Sequence, residues 1–358
     1  MMQNKVYVTV VVPVYNSAKF IGACIESLRN QTLKEVEFLI INDGSSDNSL
    51  DIILSETKGD ERFIIFNQVN SGVSAARNKG IRESKGQFLM FVDSDDSLIG
   101  ENCIRYLYEK IISTDADVIA FGSKHVLSNG ASFIHNVSKH NEIIALSSNR
   151  VAASRKTINN PNYRYSVWNK IYKSSVIIKN NIFFESYSDV ISEDKVFNQH
   201  FFIFATKAVL VSDTLYKYSV VENSLSHSKN YENVIYRVNN TIERGSKFYF
   251  ILSPNEKSGL FWPLYLDCLS ICAELLYSFN KLPYEEVQIR IVDLLQATQA
   301  LRIQNDALDS PIWKMTSDKK KNVFFMLLCS LIRRSAYKQA AVVLLSKSRI
   351  RMVWKKRR

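Results

Sequence analysis

Cysteine is scarce in this chain and does not pair up. The five residues (Cys24, Cys103, Cys268, Cys272, Cys329) are an odd number, dispersed and set mostly among apolar neighbours, which argues against a disulfide framework. Cys268 and Cys272 stand one helical turn apart, but the second pair that a zinc site would need is missing. They read as reduced core cysteines of a cytosolic protein. Uninterrupted apolar runs of membrane-spanning length are missing too. The best candidate, GLFWPLYLDCLSICAELLYSF, is broken by Pro263, Asp267 and Glu274, and VFFMLLCSLI (323–332) is only half as long as a span needs. The N-terminal MMQNKVYVTVVVPVYN has too short an apolar run and no small-residue cleavage site, so no signal peptide is expected. Where a dinucleotide-binding chain would carry Gly-x-Gly-x-x-Gly after its first strand, this one has PVYNSAKF, which argues against a dehydrogenase. Internal repeats and low-complexity blocks are absent.

Net positive charge is missing from most of the chain. The formal charge is +11, yet Pro311–Arg358 holds fourteen Lys or Arg against one acid, Asp318, so the other 310 residues sum to −2. The basicity belongs to a tail, and a nucleic-acid-binding body is not expected. What is present is a globular composition, 46% hydrophobic and 23% charged over 358 residues, enough for one large domain or two ordinary ones.

The first third alternates two periodicities. Strand-like runs stand at 6–13, 36–42, 62–67 and 87–92, and helical spacing fills 17–31, 46–57 and 72–84. A helix at 101–112 and a strand at 117–123 follow. The pattern predicts an α/β fold: a Rossmann-like, mostly parallel sheet with helices on both faces. Near-continuous apolar strands fit, because parallel strands are buried on both sides. Residues 124–162 are polar and Ser/Asn-rich and read as loops with short elements. The region from about 230 is mainly helical and ends in the basic tail from about 311. The expected division is 1–228 (with halves 1–123 and 124–228) and 229–358.

Polar residues gather at the carboxyl ends of the predicted strands, where open α/β sheets bind ligands. Tyr15 and Asn16 follow the first strand, Asp43 the second, Asn70 and Ser71 the third, and Asp93, Asp95 and Asp96 the fourth. Three crowded carboxylates repel one another unless something positive is nearby.

Four stretches in order, PVYNSAKFIGACIESLRNQTLKEVEFLIINDGSSDNS, NSGVSAARNKGI, FVDSDD and SEDKVFN, closely resemble family 2 glycosyltransferases of the GT-A fold. The resemblance is dense over 6–112, looser over 163–226 and silent beyond. It implies an inverting transfer of a hexose or N-acetylhexosamine from a nucleotide-sugar donor, UDP-linked, to a glycan or lipid-linked acceptor of a surface polysaccharide. It also implies a divalent cation, Mn²⁺ or Mg²⁺, on the donor diphosphate. By resemblance Asp93 faces the sugar-nucleotide, Asp95 takes the metal and Asp96 supports them. Asp43 would bind the base, or equally serve a turn with Gly44. Pro13, Tyr15 and Asn16 match the first nucleotide loop, with Asn16 also fitting a local turn. Asn70, Ser71 and Gly72 open a helix whose N–H groups suit phosphate. Arg77 lies near phosphates and aspartates in the family, and is equally readable as a structural arginine.

In SEDKVFN the resemblance makes Asp194 the general base, with Glu193 as runner-up or orienting partner. Trp168 and Lys170 of VWNKIY match a stretch beside the acceptor, although a tryptophan there is as readily core. The segment YKYSVVENSLSHS carries Ser219 where the family has arginine, which opens a competing reading: a catalytically silent nucleotide-sugar-binding or membrane-scaffold subunit. His227 reads as a surface histidine or a cap on the metal shell. The tail, with interleaved basic and apolar residues, suits an anionic membrane surface, giving a cytoplasmic protein held peripherally on the inner face of the membrane. A helical hairpin packed on the body and an RNA-binding tail are the competing readings.

Overall fold

A computed structural model describes residues 5–146, 166–220, 234–248, 251–252, 268–269, 284–299 and 338–343. The chain divides into two compact units. The first comprises 1–148, 161–187 and 193–227; the second comprises 149–160, 188–192 and 228–358.

The first unit is built on one sheet. Strands β1 (Val8–Val14), β2 (Val36–Asp43), β3 (Phe63–Gln68) and β4 (Phe88–Phe91) run parallel in the order β3-β2-β1-β4. β1, β2 and β4 are buried at every position, the consequence of helices covering both faces. Pro13 sits in β1 without cost to the sheet, since β4 pairs only with Val8–Val11 and leaves that edge free at Pro13.

Helices α1 (Ile21–Arg29), α2 (Ser49–Glu56), α3 (Val73–Glu83) and α4 (Cys103–Thr114) connect these strands and continue past them. α1 buries Ile21, Cys24, Ile25 and Leu28, and α4 buries Cys103, Ile104, Leu107 and Ile111, a one-sided stripe in each. Asp115 adopts the left-handed conformation (φ 46°) that ends α4. α3 packs unusually close to β1: a Cβ on Gly80 would stand 2.3 Å from a methyl of Val11. Burying a Val, Leu or Ile side chain contributes about 1.5–3 kcal/mol, so this shared core carries most of the unit's stability.

Beyond β4 the sheet becomes mixed. β9 (Lys170–Lys173) inserts antiparallel between β4 and β6 (Val118–Val126), and β10 (Lys207–Ser219) pairs parallel with β6. β5 (Ser97–Leu98) and β8 (Glu142–Ala145) pair antiparallel with β10, and β7 (Ser132–His135) with β6. The sheet is thus parallel where the sequence alternates strand and helix, and mixed in its second half. α5 (Ser174–Lys179) and α6 (Glu193–Phe204) complete the unit.

In the second unit, α7 (Val234–Gly245) turns polar side chains to the 188–192 segment: Arg237 donates to the Val190 carbonyl (2.9 Å), Thr241 accepts from Ile191 N–H (2.8 Å) and Arg244 pairs with Asp189 (3.0 Å). α8 (Tyr284–Gln299) is the other long helix among the described residues. No described helix is long and apolar enough to cross a membrane.

Candidate active site

The loops at the carboxyl ends of β1, β2 and β3 are tied together by their own polar side chains. Asn16, left-handed at φ 49°, donates its N–H to Ser45 Oγ (3.0 Å) and accepts from Ser46 N–H at its Oδ1 (2.8 Å). It is a turn-former. Asp47 accepts from the N–H groups of Ala18 and Ser49, both at 3.0 Å. Tyr15 stands half exposed beside this knot, while Pro13 is buried in β1.

Asp43 is 2% exposed, and its carboxylate accepts from Gln68 Nε2 (2.7 Å), Ser71 N–H (2.9 Å) and Gly72 N–H (2.8 Å). The negative charge therefore sits at the start of α3, where the helix dipole favours it. The N–H groups of Ser71 and Gly72 are donated to this carboxylate, so their own contact with a phosphate would require these bonds to be given up, while the carboxylate keeps acceptor capacity for one further donor. Asn70 is exposed, and Gly72 takes φ 88° to start the helix.

The three aspartates after β4 have three different surroundings. Asp96 is 2% exposed; it accepts from the Tyr216 hydroxyl (2.8 Å) and the Ser219 N–H (2.7 Å). Burial, then the neighbouring charges of Asp93 and Asp95, hold its pKa well above the usual carboxylate range. Ser219 thus contributes a backbone donor at the position where an arginine was expected. Asp93 pairs with Arg77 Nη2 at 2.9 Å, and its N–H donates to the Tyr216 oxygen (3.1 Å). The Asp95 carboxylate has no side-chain or ion-pair partner among the described residues, and its own N–H is the donor near it. Burial and the charge of Asp93 push its pKa up to about 6.

The positive charge facing this cluster is Arg77, on α3, with its side chain only 5% exposed. One guanidinium nitrogen binds Asp93; the other reaches Glu193 (3.1 Å) and Asp194 (2.8 Å) at the start of α6, 116 and 117 residues away in sequence. The Phe184 ring lies 5.2 Å from the guanidinium carbon, in cation–π range. Burial alone would lower the pKa of Arg77, but Asp194, Asp93 and Glu193 override it and keep the guanidinium charged. Its Nε has no partner among the described residues.

Asp194 is gripped on both oxygens, by Arg77 on one and by the Val167 N–H (3.2 Å) on the other. Burial raises its pKa to about 7; Arg77 opposes the rise, and Glu193 and Asp93 add to it. The Ser166–Asn169 turn that supplies the Val167 N–H is itself held from behind. Lys170, fully buried, donates from Nζ to the Ser166 carbonyl and to Asn169 Oδ1, and Asn198 Nδ2 reaches the Asp194 carbonyl (2.9 Å). Burial lowers the Lys170 pKa to about 7, partly offset by Asp194. Lys170 therefore points into the protein, beneath the turn. Trp168, on that turn, stacks on Tyr216 and Tyr218.

Arg77, Asp93, Glu193 and Asp194 meet in one place; Asp43, Asn16, Ser71 and Gly72 serve the loops around it. Val167 and Tyr216 carry contacts that the sequence reading did not assign. A Tyr-x-Tyr pattern on a strand was the available signal for Tyr216, while a backbone donor such as Val167 leaves none. His227 lies outside the described residues, as does nearly all of the basic tail.

The profile of Glycosyl transferase family 2 matches residues 9–179, the span that supplies Arg77, Asp93, Asp95 and Asp96 but stops short of Glu193 and Asp194. Residues 9–179, a little under half of the chain, are thus similar to glycosyl transferase family 2. EpsH of Bacillus subtilis is 33% identical over 225 residues, 61% of this chain and 62% of EpsH. The glycosyltransferase GlyA of Streptococcus pneumoniae is 32% identical over 61% of this chain and 31% of its own length. The poly(ribitol-phosphate) beta-N-acetylglucosaminyltransferase TarP of Staphylococcus aureus is 30% identical over 62% of this chain and 64% of TarP. The chain thus spans less than two thirds of each of these relatives. Among solved structures, residues 1–349 of S. aureus TarS in complex with UDP-GlcNAc match with a TM-score of 0.65 at 20% identity, over 96% of this chain and 92% of that one. The likeness is one of fold: the sheet seen here is the GT-A arrangement.

Proposed function

We propose that the protein is an inverting glycosyltransferase that moves a sugar from a UDP-linked donor to a glycan or lipid-linked acceptor in surface polysaccharide synthesis, with Asp194 as the base. The observation that carries this reading is Arg77. It joins the aspartate at the strand mouth to the two carboxylates of α6, so the donor side and the acceptor side of the reaction share one guanidinium. An acceptor hydroxyl oxygen attacks the anomeric carbon as its proton passes to Asp194. The bond from that carbon to the diphosphate oxygen breaks, the electron pair leaves with the nucleotide, and attack from the opposite side inverts the configuration. A carboxylate with a pKa of about 7 suits this work, being largely ionised just above neutrality and still a strong enough base to hold the proton. Arg77 and the Val167 N–H fix its orientation.

The donor set at the acidic knot fits a hard divalent cation. Asp95 is a carboxylate without a side-chain partner among the described residues, its ionisation opposed by burial and by Asp93, and a nearby cation would offset both. Among the described residues no group of three or more His, Cys, Asp or Glu side chains is arranged to hold an ion. The ligand set that fits is therefore Asp95 with diphosphate oxygens and water, the coordination that Mg²⁺ and Mn²⁺ commonly take. When bound, the cation would neutralise charge developing on the leaving diphosphate. We infer an anionic membrane surface as the partner of the basic tail from its sequence alone, fourteen Lys or Arg against one acid over Pro311–Arg358.

The test is Asp194→Asn. Binding of UDP-GlcNAc with Mn²⁺, read as a thermal shift, is expected to persist while turnover of the donor falls by about a hundredfold or more. Wild-type turnover in this variant would remove Asp194 from the reaction.

A further inference from the structure

Three strands beyond the site carry aromatic side chains in register. His125 of β6 pairs with Phe133 of β7 on one side and with Tyr218 of β10 on the other. Two positions earlier along β6, Ser123 pairs with His135 and Tyr216. Side chains two apart on a strand share a face, so these six lie together on one face of the sheet. Their rings touch: Phe133 stacks on His125 (centroids 4.9 Å, 18°), and His125 meets Tyr218 (4.8 Å) and His135 (5.6 Å). Trp168 lies nearly parallel to Tyr218 (5.3 Å, 23°) and Tyr216 (4.6 Å, 19°).

The row has an open end and a closed end. Phe133 is 52% exposed and Tyr216 is fully buried. The Tyr216 hydroxyl donates to Asp96, and Trp168 follows Val167, whose N–H holds Asp194. The aromatic row therefore runs from solvent to the two carboxylate clusters of the site. No lysine or arginine is among these seven residues. Lys124 and Lys217 alternate to the opposite face. Burial and the neighbouring His135 hold the His125 pKa below its ordinary value, which disfavours a positive charge on that ring.

We propose that this face of β6, β7 and β10, with Trp168, is a binding strip for a neutral glycan chain, holding the acceptor sugars behind the one that reacts. The proposal rests on the transferase reading above. Sugar rings present C–H faces that stack on aromatic rings. A chain of phosphodiesters would need cationic groups, which this face does not offer.

The experiment uses the full chain, fluorescently labelled and supplied with UDP and Mn²⁺. It is applied to an array of neutral oligosaccharides of increasing length beside phosphodiester-linked polyol chains. Binding is expected to strengthen with length among the neutral glycans. Phe133→Ala, at a half-exposed position, is expected to weaken binding of the longer ones about three- to tenfold, with the single sugars unchanged. Length-independent binding, binding confined to the phosphodiester chains, no binding to any glycan, or unchanged affinity in Phe133→Ala would each overturn the strip. The thermal shift of the same wild-type preparation with UDP-GlcNAc and Mn²⁺ is scored separately. If it is absent, the transferase reading fails; if it is present alongside a negative array, only the strip fails.

Discussion

Neutralising Glu193 tests the electrostatics of the base most directly. Glu193 Oε1 and Asp194 Oδ1 accept from the same nitrogen of Arg77, at 3.1 and 2.8 Å, so the two oxygens lie within about 6 Å of each other. At an effective dielectric of about 20, a like charge at that distance opposes ionisation by about 3 kcal/mol, equivalent to about two pKa units. The side chains are 12% and 17% exposed, and water reaching them reduces the effect to about one unit. Asp194 must be ionised to accept a proton, so kcat rises with pH through its folded pKa of about 7. In Glu193→Gln the acid limb of the kcat profile is expected near pH 6, measured as hydrolysis of UDP-GlcNAc from about pH 5 to about pH 9. Stability should respond in the same sense. The folded pKa of Asp194 lies above its unfolded value of 3.8, so between these values the native state holds the extra proton and stability falls as pH rises. Glu193→Gln should make that fall shallower. An acid limb that stays put, or moves upward, would refute the claim that Glu193 sets the basicity of Asp194.

Two further substitutions probe the neighbouring groups. Asp95→Asn removes a carboxylate whose pKa is raised by burial and by Asp93, so the metal-free protein at about pH 8 should melt a few °C higher, while the Mn²⁺-dependent part of the donor thermal shift disappears; a retained metal-dependent shift would count against Asp95 as the ligand. Lys170→Met loosens the turn that aims the Val167 N–H at Asp194, and kcat is expected to fall about tenfold with the donor KM unchanged. A raised KM at constant kcat would mean that Lys170 touches the donor instead.

The parallel half of the sheet was legible because its signals are local. Each strand is an apolar run, each helix a buried stripe, and each polar mouth follows its strand within a few residues. β9 gave no such signal: KIYK pairs with β4 and β6 from some eighty and fifty residues away, and its position depends on tertiary packing. That placement is also why Lys170, readable as an acceptor-side cation, is fully buried under a turn. Asp43 illustrates a different limit. A carboxylate after a strand can accept from a ligand or from its own chain, and only the folded loops reveal that Gln68, Ser71 and Gly72 already supply three donors. For Arg77 the sequence left two even readings. Burial and ion pairs with Asp93, Glu193 and Asp194 locate its guanidinium between the fourth strand's mouth and α6, an arrangement that both readings allow.

Charge balance explains why so polar a cluster is kept partly unsatisfied. Arg77 carries one positive charge and touches three carboxylates, and Asp95 and Asp96 lie close to the first of them. Proton uptake can relieve Asp96, which is sealed against Tyr216 and Ser219, and at neutral pH it half-relieves Asp194. Asp95 has no side-chain or ion-pair partner among the described residues, and burial and Asp93 oppose its ionisation. On the proposed reading this arrangement disfavours a bare diphosphate, which would add negative charge to a site already rich in it. It favours the diphosphate arriving with its cation, whose charge the carboxylate and the phosphate oxygens then share. Fastening Asp93 and Asp194 to one guanidinium also means that a movement of the donor-side aspartate is felt by the base. On that reading, selectivity for a metal-loaded donor and alignment of Asp194 depend on the same few contacts.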